Sequence, residues 1–225
     1  MKMAGFVVTI DGPAASGKST VARLLAQKLG AVFLDTGAMY RAVTLAAMRK
    51  KVQLSNEAAL LDVLKSTKFD FRVDADKMST AIDGVDVSAQ IRRPVVTENS
   101  RYIAAAPKVR AELVRMQRDF AARHDKVVTE GRDQGTVAFP DADVKFYLTA
   151  DIKTRAHRRM QELIGSEDVS LDELVKSIED RDASDSRRAE GPLKPATDAI
   201  PIDTTELSIE QVVELLVSHV RDKCS

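Results

Sequence analysis

The sequence predicts an α/β fold in which a mostly parallel sheet is covered by helices on both faces. Short apolar runs alternate with stretches that carry apolar residues at helical spacing along most of the 225 residues. Such alternation is typical of strand–helix–strand units, whose crossover helices cover a parallel sheet. A stretch with period-two alternation interrupts this pattern at about residues 67–96 and predicts a small antiparallel insert.

The elements before the insert follow from apolar spacing and from residues that start or stop helices. Gly30 follows an amphipathic stretch and favours a helix end. Ser55 precedes another such stretch and is the expected N-cap of its helix. The predicted elements are strands at 6–10 and 31–34 and helices at 18–29, 37–51 and 56–66.

The insert is predicted to contain a hairpin. Residues 69–73 (FDFRV) and 78–82 (MSTAI) alternate in polarity, and Asp83 and Gly84 form a dipeptide that favours a tight turn. After the insert the strand and helix pattern returns. The predicted elements there are a helix at about 107–124, strands at 126–129 and 144–149, helices at 151–164 and 170–188, a strand at 199–202 and a helix at 208–220.

Composition and charge narrow the function classes. The chain has 34 Lys and Arg against 34 Asp and Glu, so its formal net charge is zero, and this disfavours a general nucleic-acid or anionic-membrane binder. Cys224 is the single cysteine, which suits a reducing compartment. The apolar run at 6–10 is too short to span a membrane and has no signal-peptide pattern, so we expect a cytoplasmic protein.

A phosphate-binding loop (P-loop) is the clearest motif. Residues 12–19 (GPAASGKS) match G-x-x-x-x-G-K-[ST] between a predicted strand and a predicted helix. The glycines let successive backbone N–H groups face phosphate oxygens, and the helix start adds the positive end of its dipole. Lys18 is expected to reach the β- and γ-phosphates, and the Ser19 hydroxyl to bind Mg²⁺.

Other motifs help to identify the class of nucleoside triphosphate enzyme. Neither a D-x-x-G switch motif nor an N-K-x-D motif occurs, which argues against a GTPase. Many motor ATPases have a strand that ends in Asp-Glu, and the nearest equivalent here is residues 127–130 (VVTE). Glu130 is therefore either a residue that holds a water on Mg²⁺ or an ordinary loop acid.

Arginines follow several predicted strands and suggest a second, phosphate-bearing substrate. Tyr40 and Arg41 lie near a helix start after the second strand, and residues 131–135 (GRDQG) follow the third core strand. Loops after parallel strands open at the same carboxyl edge, where α/β proteins bind ligands. Two clusters of charged residues follow in the predicted helices. They are either solvated helical faces or parts of a lid that carries arginines. The first cluster is Arg155, Arg158 and Arg159, and the second is Arg181, Asp182, Asp185, Arg187 and Arg188.

Together these stretches resemble the bacterial cytidylate (CMP) kinases over nearly the whole chain. The resemblance lies in residues 12–20 (GPAASGKST), 34–41 (LDTGAMYR), 130–150 and 155–160 (RAHRRM). It also lies in residues 181–193 (RDASDSRRAEGPL), where the matching residues are RD, then D, then RRA, then PL. It implies the fold of P-loop nucleoside monophosphate kinases, with a five-stranded parallel sheet, helices on both faces, a small antiparallel β insert and a lid. The expected domains are a core at 1–66 and 97–225, with the lid at about 151–190, and the insert at 67–96.

The resemblance implies transfer of the γ-phosphoryl group of ATP to CMP or dCMP with Mg²⁺. We expect a monomer, because the sequence has no heptad seam and no long exposed strand that demands a partner, and the balanced charge predicts no nucleic-acid or membrane partner. The residues expected to bind the triphosphate are Gly12, Pro13, Ala14, Ala15, Ser16, Gly17, Lys18, Ser19 and Thr20, with Ser19 also on the metal. The catalytic residues are expected to be Lys18, Arg132 and Arg181. The acceptor site is expected to include Thr36, Tyr40, Arg41, Ser100, Arg110, Arg132, Asp133, Arg181, Asp185 and Arg188.

Within that set, Ser100, Arg110 and Asp133 are implied to contact the base, and Asp185 the sugar hydroxyls. A carboxylate suits the N4 amino group of cytosine, whereas uracil would present an oxygen to it. An unpaired buried polar group costs on the order of 1–3 kcal/mol, which corresponds to a roughly ten- to hundredfold preference for CMP over UMP. Two alternatives stay open: a kinase for UMP, AMP or a non-nucleotide, and a protein that binds ATP as a regulatory ligand.

Overall fold

A computed structural model describes residues 5–74, 77–162 and 169–224 of the chain. Within these ranges the strands are β1 (Phe6–Asp11), β2 (Val32–Asp35), β3 (Phe69–Asp74), β4 (Lys77–Ile82), β5 (Val85–Asp86), β6 (Lys126–Gly131), β7 (Val144–Thr149) and β8 (Ile200–Asp203). The α-helices there are α1 (Lys18–Leu29), α2 (Thr36–Arg49), α3 (Glu57–Lys65), α4 (Pro94–Ala105), α5 (Pro107–Ala121), α6 (Ile152–Glu162), α7 (Leu171–Ser186) and α8 (Ile209–Cys224).

The strands form the two sheets that the sequence predicts. The larger is a five-stranded parallel sheet in the order β2-β6-β1-β7-β8, and the smaller is a three-stranded antiparallel sheet in the order β3-β4-β5. In the central strand β1, Asp11 stands opposite Gly131 of β6 and Tyr147 of β7. The carboxyl ends of these three strands therefore meet at one edge of the sheet. The predicted α/β fold class is confirmed.

The chain separates into two compact units. One is formed by Met1–Ala31 and Asp125–Ser225, and the other by Val32–His124. In the first unit β1 has buried residues on both faces, which is typical of a strand covered by helices. The boundaries expected for the insert and the lid stay predictions. In the described ranges (5–74, 77–162 and 169–224), no helix combines the length and apolar character needed to cross a bilayer.

The antiparallel hairpin forms where the alternating pattern places it. Asp83 and Gly84 join β4 to β5 with φ values of 50° and 82°. Positive φ at both central residues is the geometry of the tight hairpin turn that an Asp-Gly dipeptide favours. The local turn chemistry was therefore sufficient to predict this part of the fold.

Three local features differ from the sequence prediction. Asn56, not Ser55, caps α3, because its side chain accepts a hydrogen bond from the Ala59 N–H at 3.1 Å. Helix α4 was not predicted, since Val, Thr, Asn and Ser in its first two turns have low helix propensity. A wide helical turn of the π type at Gln134–Ala138 was also missed. The last two residues of the helix predicted at 151–164 lie outside the described residues.

Candidate active site

The loop between β1 and α1 has the backbone shape of an anion cradle. Its φ values are 149° at Gly12, 58° at Ala15 and 85° at Gly17. A Cβ on Gly12 would lie 2.1 Å from the carbonyl oxygen of Leu148, so the β7 backbone requires glycine there. Gly17 caps α1 and has no side chain to occupy the N–H groups of the first helical turn. These N–H groups, with the helix dipole, favour a phosphate at this position.

Lys18 is the first residue of α1, and its side chain is buried with 5% of its surface exposed. Its Nζ donates to the Pro13 carbonyl oxygen at 2.5 Å and lies 3.3 Å from Ser16 Oγ. Burial, followed by repulsion from Arg132, lowers the pKa of Lys18 to about 7. A bound phosphate would supply the negative charge that favours the ammonium form.

Ser19 and Glu130 form a pair with the donor chemistry that Mg²⁺ requires. Ser19 Oγ donates a hydrogen bond of 2.9 Å to Glu130 Oε1. Glu130 lies in β6 and is only 6% exposed, so it is not an ordinary solvated loop acid. Mg²⁺ takes oxygen ligands and, in kinase sites, combines one or two protein ligands with waters and substrate phosphates. The hydroxyl and the carboxylate therefore fit this ion.

Arginines converge on one buried carboxylate near the carboxyl edge of the sheet. Arg132 Nε donates to Asp185 Oδ2 at 2.8 Å, and Arg188 forms an ion pair with the other oxygen of Asp185. Burial opposes the charge of Arg132, but Asp185 and Glu130 raise its pKa by more. The result is a cationic cluster that a single carboxylate of α7 holds in place.

Arg181 is part of the same charged environment. It keeps more than a third of its surface exposed, while partial desolvation and repulsion from Arg132 lower its pKa to about 10. Its charge also lowers the pKa of Lys18. The structure thus brings the three predicted catalytic residues, Lys18, Arg132 and Arg181, into one electrostatic group.

Asp133 follows Arg132 in the loop after β6 and is 5% exposed. Its backbone carbonyl accepts hydrogen bonds from the N–H groups of Val137 and Ala138, at 2.8 and 3.2 Å, which begin the wide helical turn. A buried carboxylate at this sheet edge is suited to bind a donor on a ligand.

Arg155 and Asp182 have a role that the sequence analysis did not foresee. Arg155 is 9% exposed and donates to the Ala14 carbonyl oxygen at 3.0 Å and to Asp182 Oδ2 at 2.5 Å. The other oxygen of Asp182 accepts from the Ala14 N–H at 2.9 Å. Helices α6 and α7 therefore hold the P-loop through this pair, and a solvated helical face is the wrong interpretation for Arg155. In contrast, Arg159 is partly exposed and forms an ion pair with Glu162 of its own helix.

In the second unit Asp35 organises two arginines. It caps α2 by accepting from the Ala38 N–H at 2.8 Å. Arg41 Nη2 lies 3.4 Å from both Asp35 oxygens, and Arg92 Nη2 lies 3.2 Å from one of them. Arg41 Nε is buried and has no hydrogen-bond partner within the described ranges. A buried N–H of this kind is suited to a ligand oxygen. The sequence analysis missed Arg92 because no motif marks it.

The other predicted acceptor residues of this unit lie on α2, α4 and α5. The Arg110 guanidinium lies 5.8 Å from the centre of the Tyr40 ring, within the range of a cation–π contact. Ser100 Oγ donates to the Thr97 carbonyl oxygen at 2.6 Å, and Thr36 is buried at the start of α2. Tyr40 and Arg110 are therefore brought together, whereas Ser100 has a local partner in its own helix.

Comparison with known proteins gives the same family over nearly the whole chain. The family model described as cytidylate kinase matches residues 8–222. The cytidylate kinase of Desulforamulus reducens is 46% identical over 95% of this chain and 96% of its own length. The cytidylate kinase of Bacillus cereus is 44% identical over 95% of each chain.

A solved gluconokinase from Sinorhizobium meliloti has a similar fold at 12% identity, with a TM-score of 0.50 over 98% of this chain and 94% of its own. At that identity the likeness concerns the fold alone. The family model and the sequence relatives, together with the P-loop and its arginine cluster, lead to one conclusion: the chain belongs to the cytidylate kinase family and is a nucleoside monophosphate kinase.

Proposed function

We propose that this enzyme transfers the γ-phosphoryl group of ATP to CMP or dCMP, giving ADP and CDP or dCDP, with Mg²⁺. The observation that carries the proposal is the buried P-loop Lys18 together with Arg132 and Arg188, which the Asp185 carboxylate holds near the carboxyl edge of the sheet. A protein that bound ATP only as a regulatory ligand would not need arginines beside the P-loop lysine. A phosphoryl-transfer enzyme needs them, because it stabilises the charge of the migrating group.

Each residue has a role that follows from its position. The P-loop residues 12–20 hold the triphosphate, with Lys18 on its β- and γ-phosphates. Ser19 would be a protein ligand of Mg²⁺, and Glu130 would hold one of the ion's waters. The ion, when bound, neutralises charge on the phosphates. Arg132, Arg181 and Arg188 hold and neutralise the transferring and acceptor phosphates, so no protein nucleophile is required.

In this proposal the remaining side chains bind the acceptor nucleotide. Arg41, whose buried Nε lacks a hydrogen-bond partner in the described part of the chain, binds its phosphate with Tyr40 and Thr36. Asp185 binds the sugar hydroxyls. Asp133, Arg110 and Ser100 bind the cytosine, where a carboxylate pairs with the N4 amino group.

The cellular setting is part of the same proposal. The balanced charge of 34 cations and 34 anions supports a small-molecule enzyme without a nucleic-acid partner. The single Cys224 supports a reducing compartment, and we place the enzyme in the cytoplasm, as a monomer.

The test is a coupled ADP-release assay with ATP, Mg²⁺ and a panel of CMP, dCMP, UMP and AMP, with a reaction lacking acceptor as the baseline. We expect turnover with CMP and dCMP well above that with UMP or AMP. Lys18→Ala should lower kcat by at least about a hundredfold, as loss of a charge-stabilising group does. Lys28→Ala, on the same helix but with a half-exposed side chain, is the matched control and should keep its activity.

The outcomes separate the alternatives. Turnover only with UMP, AMP or a non-nucleotide would replace CMP as the substrate. ATP binding without turnover on any acceptor would favour a regulatory site. Undiminished turnover by folded Lys18→Ala would contradict the role of the P-loop lysine.

A further inference from the structure

Asp11 ends β1 and binds the backbone of the loop that follows β6. Its Oδ1 accepts a hydrogen bond from the Gln134 N–H at 2.8 Å, and its Oδ2 accepts one from the Gly135 N–H at 2.7 Å. From this geometry we propose that Asp11 is a positioning residue that sets the placement of Arg132 and Asp133 for the reaction. The inference rests on the proposed function, because it concerns how that site is built.

The two hydrogen bonds form a clamp, by which we mean the Asp11 carboxylate on the N–H groups of residues 134 and 135. Asp11 is 3% exposed and Gln134 is 2% exposed, so water cannot replace either partner. A carboxylate offers one acceptor oxygen to each of two adjacent N–H groups, which no neutral side chain of that size does. Without it both N–H groups would be buried and unpaired, and the loop would change conformation to satisfy them.

Packing around the clamp shows that the loop backbone has little room to move. A Cβ on Gly135 would lie 3.0 Å from Thr9 Oγ1, and one on Gly131 would lie 2.8 Å from Gln134 Cγ. The Gln134 side chain accepts a further hydrogen bond from Thr129 Oγ1 at 3.0 Å. Residues 132 and 133 thus lie between two restrained parts of the loop. Gly131 on one side packs against the Gln134 side chain, and the backbone of residues 134 and 135 on the other side is held by the clamp.

The clamp also accounts for a buried carboxylate that the chemistry itself does not use. Each Asp11 oxygen accepts a hydrogen bond from a backbone N–H group of the loop, and the side chain is buried, so its evident partner is the loop backbone. Burial raises the pKa of Asp11 to about 6, with the N–H bonds of Gly135 and Gln134 opposing that rise. The carboxyl group is therefore ionised at neutral pH, the state in which both oxygens accept.

The closing experiment compares Asp11→Asn with Asp143→Asn in the full chain. Asn keeps the size of the side chain but places an N–H₂ group against one of the two N–H donors, so half of the clamp is lost. Asp143 is the matched control, because its exposed carboxylate also accepts a backbone N–H of β1, that of Val7 at 2.8 Å, at the opposite end of the strand.

Two readouts distinguish positioning from general stability. In steady-state assays we expect Asp11→Asn to lower kcat/KM for CMP on the order of a hundredfold, as a small misplacement of reacting groups does, and to lower the CMP-over-UMP ratio about tenfold. In hydrogen–deuterium exchange we expect the amides of Gln134 and Gly135 to exchange at least about tenfold faster. Asp143→Asn should leave both readouts within about twofold of the unmodified enzyme.

An unchanged kcat/KM for CMP or an unchanged CMP-over-UMP ratio in Asp11→Asn, or unchanged exchange at residues 134 and 135, would overturn the inference. If Asp11→Asn does not fold, Gly135→Ala decides, because its Cβ would lie 3.0 Å from Thr9 Oγ1 and 3.2 Å from Lys145 Cδ, so the backbone that donates to Asp11 must shift. An intact CMP-over-UMP ratio in that variant overturns the inference, and a reduced ratio supports it. If the unmodified enzyme fails to phosphorylate CMP, the proposed function fails, and the exchange experiment still judges the clamp.

Discussion

Ser19 and Glu130 stand 111 positions apart in sequence, yet the Ser19 hydroxyl donates a 2.9 Å hydrogen bond to the Glu130 carboxylate. The contact joins the first turn of α1 to the end of β6, and it explains why a strand-end carboxylate is buried beside the P-loop. Its chemistry suits Mg²⁺, because a hydroxyl and a carboxylate are both oxygen donors.

We predict that Glu130→Gln lowers the affinity of the enzyme for Mg²⁺ while leaving the fold intact. Glutamine keeps the acceptor for Ser19 but loses the negative charge that orients a metal-bound water. Loss of such a supporting group costs roughly 10–100-fold in metal affinity, so the Mg²⁺ concentration for half-maximal ADP release should rise by about that factor. Glu112→Gln, at an exposed position on α5, is the control. If the Mg²⁺ titration curve of Glu130→Gln coincides with that of the control, Glu130 supports the fold and does not assist Mg²⁺ binding.

Asp133 is predicted to control the choice of base. Asp133→Ala removes the acceptor for the cytosine amino group, so we expect the ratio of kcat/KM for CMP to that for UMP to fall by about 10–100-fold. The measurement is the same ADP-release assay with both nucleotides. Asp141→Ala, an exposed acid in the same segment, should keep the original ratio. Equal ratios in the two variants would show that another group reads the base.

Asp185 is predicted to stabilise the enzyme through the arginines it holds. Its side chain is 5% exposed and pairs with Arg132 and Arg188, which are 17% and 16% exposed. Asp185→Ala leaves these cations without their shared anion, and breaking a buried pair in this way costs on the order of 3–5 kcal/mol. Urea unfolding without nucleotide should show this loss. Glu112→Ala breaks only an exposed pair with Arg115 and should cost less than about 1 kcal/mol; similar losses in both variants would contradict the prediction.

The lowered pKa of Lys18 predicts a pH-dependent contribution to stability. Its pKa is about 7 in the folded enzyme, well below the ordinary lysine value of 10.5 that holds in the unfolded chain. Between these values the unfolded chain binds more protons than the folded one, so stability from this group rises with pH. Below pH 7 the folded enzyme carries the full penalty of a buried ammonium group.

Lys18→Met removes this group, so the free energy of unfolding of the variant, minus that of the unmodified enzyme, should fall steadily from pH 6 to pH 10. Urea unfolding at pH 6, 8 and 10 measures the difference. Lys28→Met serves as the comparison for losing a half-exposed lysine from the same helix. A difference that stays constant, or grows with pH, would show that Lys18 keeps its charge over this range.

The parts of the site that were predicted from sequence are those with a local cause. The P-loop is one contiguous stretch, and its glycines, lysine and flanking strand and helix can be recognised without any tertiary contact. The hairpin turn at Asp83 and Gly84 depends likewise on two adjacent residues. Helix α4 was missed because the local signal is weak there, and tertiary context overrides propensity.

The contacts that support the site could not be predicted in the same way. Asp182 and Arg155 looked like members of charged helical faces, yet they bind the backbone of Ala14 in the P-loop. No motif marks Arg92 in the sequence, and its ion pair with Asp35 is seen only in the fold. Neither role leaves a pattern in the neighbouring sequence, since a charged side chain on a helix is usually solvated.

The sequence by itself determined the fold class, the P-loop and the family, because strand–helix alternation and motif spacing are properties of short stretches. Only the tertiary structure decided which carboxylate contacts Ser19 of the P-loop, which one pairs with the arginines and which one binds the loop backbone. Glu130, Asp185 and Asp11 are all buried acids, and they differ in which distant residue the fold brings to them. The physical reason is that a buried carboxylate must find its own partners, and chain topology, not local sequence, supplies them.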